Sequence, residues 1–182
     1  TSDGEQADYP SYDIALSFDG RYVAFTSSAS NLAGLDHVTG IHYFVHDRLT
    51  GSTQMVDVDV NGLPVVGFDV NDNEHRVSIS ADGRYVAFAS PASNLVAGDL
   101  GYWDVFVRDL GIGSTTHVSI ASDGSPGNGW SKGPSISADG RSVIFRSSAS
   151  NLVVDDTNGY VDVFVHDRLA GSIDSDGDGL LD

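Results

Sequence analysis

The chain has 182 residues, 40% of them hydrophobic, with 26 acidic against 9 basic residues and a formal net charge of −17. That apolar content supports a packed interior and excludes a disordered chain, while the lack of any run of about 18 apolar residues excludes a membrane-spanning helix. The charge repels phosphate backbones and argues against nucleic-acid binding, and the absence of cysteine removes disulfides and thiolate metal sites.

One phrase occurs three times. Ser17-Phe18-Asp19-Gly20-Arg21-Tyr22-Val23-Ala24-Phe25 returns from Ser80 to Phe88 and again from Ser137 to Phe145, at spacings of 63 and then 57 residues. Such a recurrence means one structural unit built several times. Thr1-Ser2-Asp3-Gly4 matches Ala121-Ser122-Asp123-Gly124, and the second copy follows a strand-like run, Thr116–Ile120. The chain is therefore expected to begin in mid-repeat. With no leader pattern and no initial Met, it reads as a processed or excised piece.

In chain order, the first unit predicts strands at Tyr12–Ser17, Tyr22–Ser27, His42–His46 and Thr53–Val60. Asp19-Gly20 marks a tight turn between the first two, and Asp47–Gly51 a turn between the last two. The second unit predicts strands at Arg76–Ser80, Arg84–Ser90, Trp103–Arg108 and Thr115–Ile120. The third predicts Ser135–Ser137, Arg141–Ser147 and Val161–His166. Where its fourth strand belongs the sequence offers only Gly171-Ser172-Ile173 before an acidic tail. Val163-Phe164-Val165 and Tyr22–Phe25 are apolar on both faces, which predicts sheets covered on both sides. No helical period is sustained. Four-stranded antiparallel sheets of about 60 residues, stacked face to face, are β-propeller blades. A β-sandwich accounts for the strands but not for the threefold recurrence. The predicted layout is three repeats over residues 1–173 (about 1–60, 61–120 and 121–173), followed by a tail, 174–182.

Three blocks of the third unit carry a family resemblance: Pro134–Arg141, Ser148-Ala149-Ser150-Asn151-Leu152 and Asp162–Leu169. The middle block recurs as Ser28–Leu32 and as Pro91-Ala92-Ser93-Asn94-Leu95. Together they resemble the TolB-type, WD-repeat-like propeller repeat of bacteria, across nearly the whole chain to about Gly171. The resemblance implies an all-β propeller fold and a protein-binding or carbohydrate-associated role outside the cytoplasm. It does not by itself assign an activity, because propellers host many.

The acidity suits two uses, solubility in a salty medium and binding of divalent cations through oxygen ligands. The tail Asp174-Ser175-Asp176-Gly177-Asp178-Gly179-Leu180-Leu181-Asp182 sets carboxylates at positions 1, 3, 5 and 9 of a calcium loop. Gly179 falls at the sharp turn and the Leu180 carbonyl at position 7. The pattern resembles the thrombospondin type 3 calcium repeat and the first part of an EF-hand, without the acidic residue at position 12. A second candidate Ca2+ site is the loop holding Asp156, Asn158 and Asp162. The second unit matches it with Asp99 and Asp104, and the first only with Asp36, with His42 in the last place. Asx turns that order the loop are the other use of these residues.

His46 and His166 hold equivalent places, filled by Arg108 in the second unit, which predicts packing and hydrogen bonding rather than metal ligation. No nucleophile elbow, His-Glu-x-x-His or phosphate loop is present, and nothing picks out a pair of catalytic carboxylates. Trp103, Trp130, Tyr102 and Tyr160 suit either a sugar platform or packing between blades. The expectation is a non-enzymatic, extracellular or periplasmic, calcium-binding module with a structural or binding role. Self-association into a ring or filament is expected, with a protein or glycan as further ligand. The alternative is the ligand-binding part of a larger secreted enzyme acting on polysaccharide or peptide.

Overall fold

Each copy of the repeated phrase makes the same turn, for a reason carried by its residues. In the computed structural model, which describes residues 4, 6–34, 39–68, 76–99 and 101–169, Ser17 Oγ donates to Asp19 Oδ1 at 2.6 Å and accepts the Tyr22 N–H at 2.9 Å. Asp19 Oδ1 also takes the Arg21 N–H at 3.0 Å. Gly20 turns the chain with a φ of 71°, a conformation that a Cβ would penalise. The same bonds recur around Asp82 and around Asp139.

Each turn joins the first two strands of an antiparallel sheet. The first sheet is β1 (Ser11–Leu16), β2 (Tyr22–Ser27), β3 (His42–Asp47) and β4 (Thr53–Met55). The second is β5 (Ser78–Ile79), β6 (Tyr85–Ser90), β7 (Asp104–Asp109) and β8 (Ser114–His117). The third is β9 (Ser131–Ile136), β10 (Ser142–Ser147) and β11 (Asp162–Asp167). Strand order within each sheet is chain order. β5 touches both β1 and β9, so the three first strands stand side by side. This is the arrangement of propeller blades, and among the described residues the third blade has three strands.

Four strands differ clearly from expectation: β5 spans only Ser78–Ile79 of the expected Arg76–Ser80, β8 ends at His117 short of Ile120, and β4 and β9 depart for reasons the structure shows. β4 ends at Met55, well short of Val60, because Asp57 turns inward to accept the Tyr43 N–H at 3.0 Å and Asp59 closes a turn by accepting the N–H groups of Asn61 and Leu63. β9 starts at Ser131, ahead of the expected Ser135. It reaches β10 through an irregularity opposite Ile144–Arg146, where Gly133 has a φ of 66° and Pro134 brings no donor.

The core lies between blades. Ala24, Tyr43 and Val45 from blade one meet Ile79, Val86, Phe88 and Phe106 from blade two. Ala87, Ala89, Val105 and Val107 meet Ile136, Val143 and Phe145 of blade three. The Tyr43 hydroxyl crosses the first joint to the Ala89 carbonyl at 2.8 Å. Backbone bonds link the turns as well: Phe18 N–H donates to the Ala81 carbonyl at 3.0 Å, and Ala81 N–H to the Ala138 carbonyl at 2.8 Å. Blades one and two thus each have a trailing face that covers the leading face of the next.

Candidate functional site

The candidate calcium loop of blade three is ordered by an Asx turn. Asn158 Oδ1 accepts the Tyr160 N–H at 2.7 Å, and Asn158 Nδ2 donates to Asp162 Oδ2 at 2.9 Å. Asp156 is half-buried in the same loop, and its neighbour Asp155 has a φ of 67°. Asn158 and Asp162 are thus brought together, and Asn158 presents its amide nitrogen to the carboxylate. Among the described residues no cluster of three or more His or carboxylate side chains is placed to hold a metal ion. In blade two, Asp99 Oδ1 accepts the Gly101 N–H at 2.9 Å, and Asp104 Oδ2 is buried without a hydrogen-bond partner. Asp36 and the tail residues Asp174, Asp176, Asp178, Leu180 and Asp182 lie outside the described residues.

The residue at the start of each third strand pins the blade. In blade one the buried His42 donates Nδ1–H to Asp57 Oδ2 at 2.9 Å. Burial pulls the imidazole down, but the Asp57 carboxylate outweighs it and leaves His42 above its ordinary value. Burial pushes the Asp57 carboxyl up against the bonds it accepts from His42 and Tyr43. In blade two Asp104 Oδ1 takes the Ser119 hydroxyl at 2.8 Å, and His117 Nε2 lies 3.2 Å away. Asp162 occupies this position in blade three.

His46 Nδ1 bonds Thr53 Oγ1 at 3.0 Å, and Arg108 Nη1 donates to Thr115 Oγ1 at 3.1 Å. The shared His/Arg position therefore holds the fourth strand to the third. Trp103 packs at the inter-blade cores, edge-on to Phe68 at 5.5 Å and beneath Lys132 Nζ at 4.3 Å.

The third blade departs from the expectation of sheets covered on both sides. Ile144, Val163 and Val165 stand where Ala24, Tyr43 and Val45, and again Ala87, Val105 and Val107, are buried. They are 45%, 70% and 68% exposed. At the opposite end of the arc, Ile14 and Leu16 are 79% and 59% exposed, whereas their counterparts Val77 and Ile79 are buried. A groove of about 440 Å³ runs along the outer edge of β11, lined by Val153, Val154, Asp156, Asp162, Val163 and Val165 among others. Reading the sequence did not single out these faces. The signal was present in the doubly apolar strands, one of which, Val163-Phe164-Val165, belongs to the last of the three repeats.

No protein-family model and no curated protein matches the chain. Solved structures do. A protein described as TolB from Agrobacterium tumefaciens superposes with a TM-score of 0.54 at 19% identity, over 88% of this chain and 43% of its own. A prolyl endopeptidase structure gives 0.52 at 17% identity, over 92% of this chain and 22% of its own. The β-propeller domain of the Trilobed protease from Pyrococcus furiosus gives 0.45 at 14%, over 88% and 43%. The chain spans less than half the length of each. Together with the three stacked sheets, the likeness of the first two shows the fold: TolB-like β-propeller blades.

Proposed function

We propose that this chain is a non-catalytic binding and scaffolding module, working outside the cytoplasm, whose blades join those of a second copy. The observation that carries this is the pair of apolar faces at the two ends of the arc. The trailing face of blade three (Ile144, Val163, Val165) has the character of the two trailing faces that the next blade covers, and the leading face of blade one (Ile14, Leu16) that of the leading faces so covered. Fully burying a Val, Leu or Ile contributes about 1.5–3 kcal/mol, against an association cost of about 4–15 kcal/mol. The five side chains, 45–79% exposed, stand to gain only part of that each, which together still reaches into that range. A pair of arcs closes if the blade-to-blade rotation allows it, and otherwise grows head to tail into a filament. Propellers of about 4–8 blades are known to close, and two arcs bring six.

Calcium belongs to the same reading. The tail carboxylates Asp174, Asp176, Asp178 and Asp182 with the Leu180 carbonyl form one site, and the Asp156/Asn158/Asp162 loop a second. The buried, unpartnered Asp104 Oδ2 is an oxygen that a cation near the blade-two loop would satisfy. A role as the ligand-binding part of a larger secreted enzyme is the second reading, favoured by one observation: the chain matches 22% of a prolyl endopeptidase.

Light scattering at roughly tens of micromolar, far above the Kd of a stable interface, tests the assembly. The expected result is a mass of two chains or more, returning to one chain in Val163→Asp/Val165→Asp. Both residues are exposed, so far-UV circular dichroism of the variant should be unchanged. A monodisperse monomer of the wild type would overturn the reading.

A further inference from the structure

We infer that the outer edge of β11 is a docking site for one extended segment of a partner protein with the pattern Thr-x-x-Val-Ser, the serine rather than the aspartate of blade one because Asp162, not a histidine, receives it. The inference rests on the reading of the chain as a binding module and uses the free edge of β11, beside the trailing face that carries Val163 and Val165. Among the described residues β11 pairs with β10 alone, and an open edge is a template for strand addition.

The first two blades show what such an edge accepts. Thr53 pairs with His46, and Thr115 with Arg108, each through the threonine hydroxyl. Three residues on, the buried Val56 donates its N–H to the Tyr43 carbonyl at 2.8 Å, and Val118 donates to the Val105 carbonyl at 2.9 Å. The next residue returns the bond: Asp57 accepts the Tyr43 N–H at 3.0 Å, and Ser119 Oγ the Val105 N–H at 3.0 Å. That side chain also bonds the pin at the start of the third strand, His42 in one blade and Asp104 in the other.

Blade three presents every receiving group. His166 stands where His46 and Arg108 stand, Val163 where Tyr43 and Val105 stand, and Asp162 where His42 and Asp104 stand. Asp162 Oδ2 holds Asn158 Nδ2, which leaves its other oxygen to accept the incoming hydroxyl. The groove along the edge is lined by Asp162, Val163, Phe164 and Val165, where the incoming valine is accommodated.

The chain's own continuation does not carry the pattern. Leu169-Ala170-Gly171-Ser172 matches Leu49-Thr50-Gly51-Ser52, but Ile173 then falls at the threonine, Asp176 at the valine and Gly177 at the serine. Ile173 and Gly177 offer neither of the hydroxyls that His166 and Asp162 are placed to receive, whereas a segment from another protein carrying all three anchors forms both bonds.

The probe is a synthetic peptide copying residues 113–121, Gly-Ser-Thr-Thr-His-Val-Ser-Ile-Ala, added to the whole chain. Calorimetric titration is expected to give one peptide per chain with a Kd of roughly 10–100 µM, and amide exchange in 162–167 is expected to slow. Replacing the peptide's serine at the Ser119 place by alanine should weaken binding about fivefold, the worth of one hydrogen bond. His166→Ala in the protein should weaken it about fivefold, the worth of one hydrogen bond. Binding no tighter than that of the scrambled peptide overturns the inference. So does protection of 162–167 already present without peptide: if independent of protein concentration, the chain's own tail fills the edge, and if dependent on it, a second copy does. Loss of peptide binding with the light-scattering mass unchanged would remove this site and leave the assembly reading standing.

Discussion

Arg84 holds Asp109 by two charge-assisted bonds, Nε to Oδ1 at 2.9 Å and Nη2 to Oδ2 at 2.9 Å. The same fork joins Arg21 to Asp47 and Arg141 to Asp167. It ties the turn phrase of each blade to the end of its third strand, and Arg suits it because a planar guanidinium matches a carboxylate bidentately. The Arg84 bond is the main cause that lowers the Asp109 pKa below its ordinary 3.8, with further help from the Gly111 N–H. Asp47 and Asp167 are lowered in the same way by Arg21 and Arg141. A carboxylate with a depressed folded pKa contributes stability that is present above the unfolded value and lost as pH falls through the folded one. Arg84→Ala should therefore melt lower than the wild type at pH 7, and the gap should narrow once pH drops below about 3.8. Arg84→Lys should recover only part of it, because Lys binds as a point charge. Thermal melts at neutral and acid pH check this, and a gap unchanged at low pH would show that packing of the Arg stem on Tyr85, with the guanidinium carbon 5.0 Å from the ring centre, was responsible instead.

Blades are joined by their turns as well as by their faces. The Tyr22 ring lies over Gly83, where a Cβ would sit 2.0 Å from the ring, and Tyr85 lies over Gly140 in the same way at 2.2 Å. The third blade has Ser142 in place of the tyrosine. Gly62 also has a positive φ, 77°, with open space around it. Gly62→Ala should thus cost only backbone strain, about 1–2 kcal/mol, while Gly83→Ala should add about 1–3 kcal/mol of overpacking at the joint. Urea unfolding of the two variants measures the difference, and equal losses would mean that the ring moves aside freely. Much of this element scale was legible beforehand. The Ser-x-Asp-Gly-Arg phrase announces its turn chemically, and β2 lies at the bounds expected for it, Tyr22–Ser27. The Arg–Asp fork was not legible, because its partners are 25 or 26 residues apart and no local period links them. Nor was the difference between Val105 and Val163. Both sit in Asp-Val-Phe-Val, and only the presence of a next blade buries the one and leaves the other in water.

At the scale of the whole molecule, a net charge of −17 opposes both compaction and the meeting of two copies. Cations reduce that repulsion, diffusely as counterions or at defined sites. Asp174, Asp176 and Asp178 set three carboxylates within five residues, close enough to repel one another and to converge on one calcium at about 2.3–2.6 Å. In the proposed site the Leu180 carbonyl and Asp182 would extend the shell, and a full complement of about 6–8 oxygens would leave room for waters or for a carboxylate from a neighbouring copy. Binding to the folded state alone stabilises it by about 2.7 kcal/mol at a hundredfold excess over Kd. Calcium should therefore raise the melting midpoint over that in excess chelator. Asp176→Ala with Asp178→Ala should lose part of the gain, and the remainder should go with Asp156→Ala and Asp162→Ala. Matching the ionic strength with sodium separates site binding from screening, because a diffuse effect follows ionic strength and a coordinated ion does not. Identical wild-type melting in calcium and in chelator would remove both sites, and the acidity would then act only through solubility and long-range repulsion between copies.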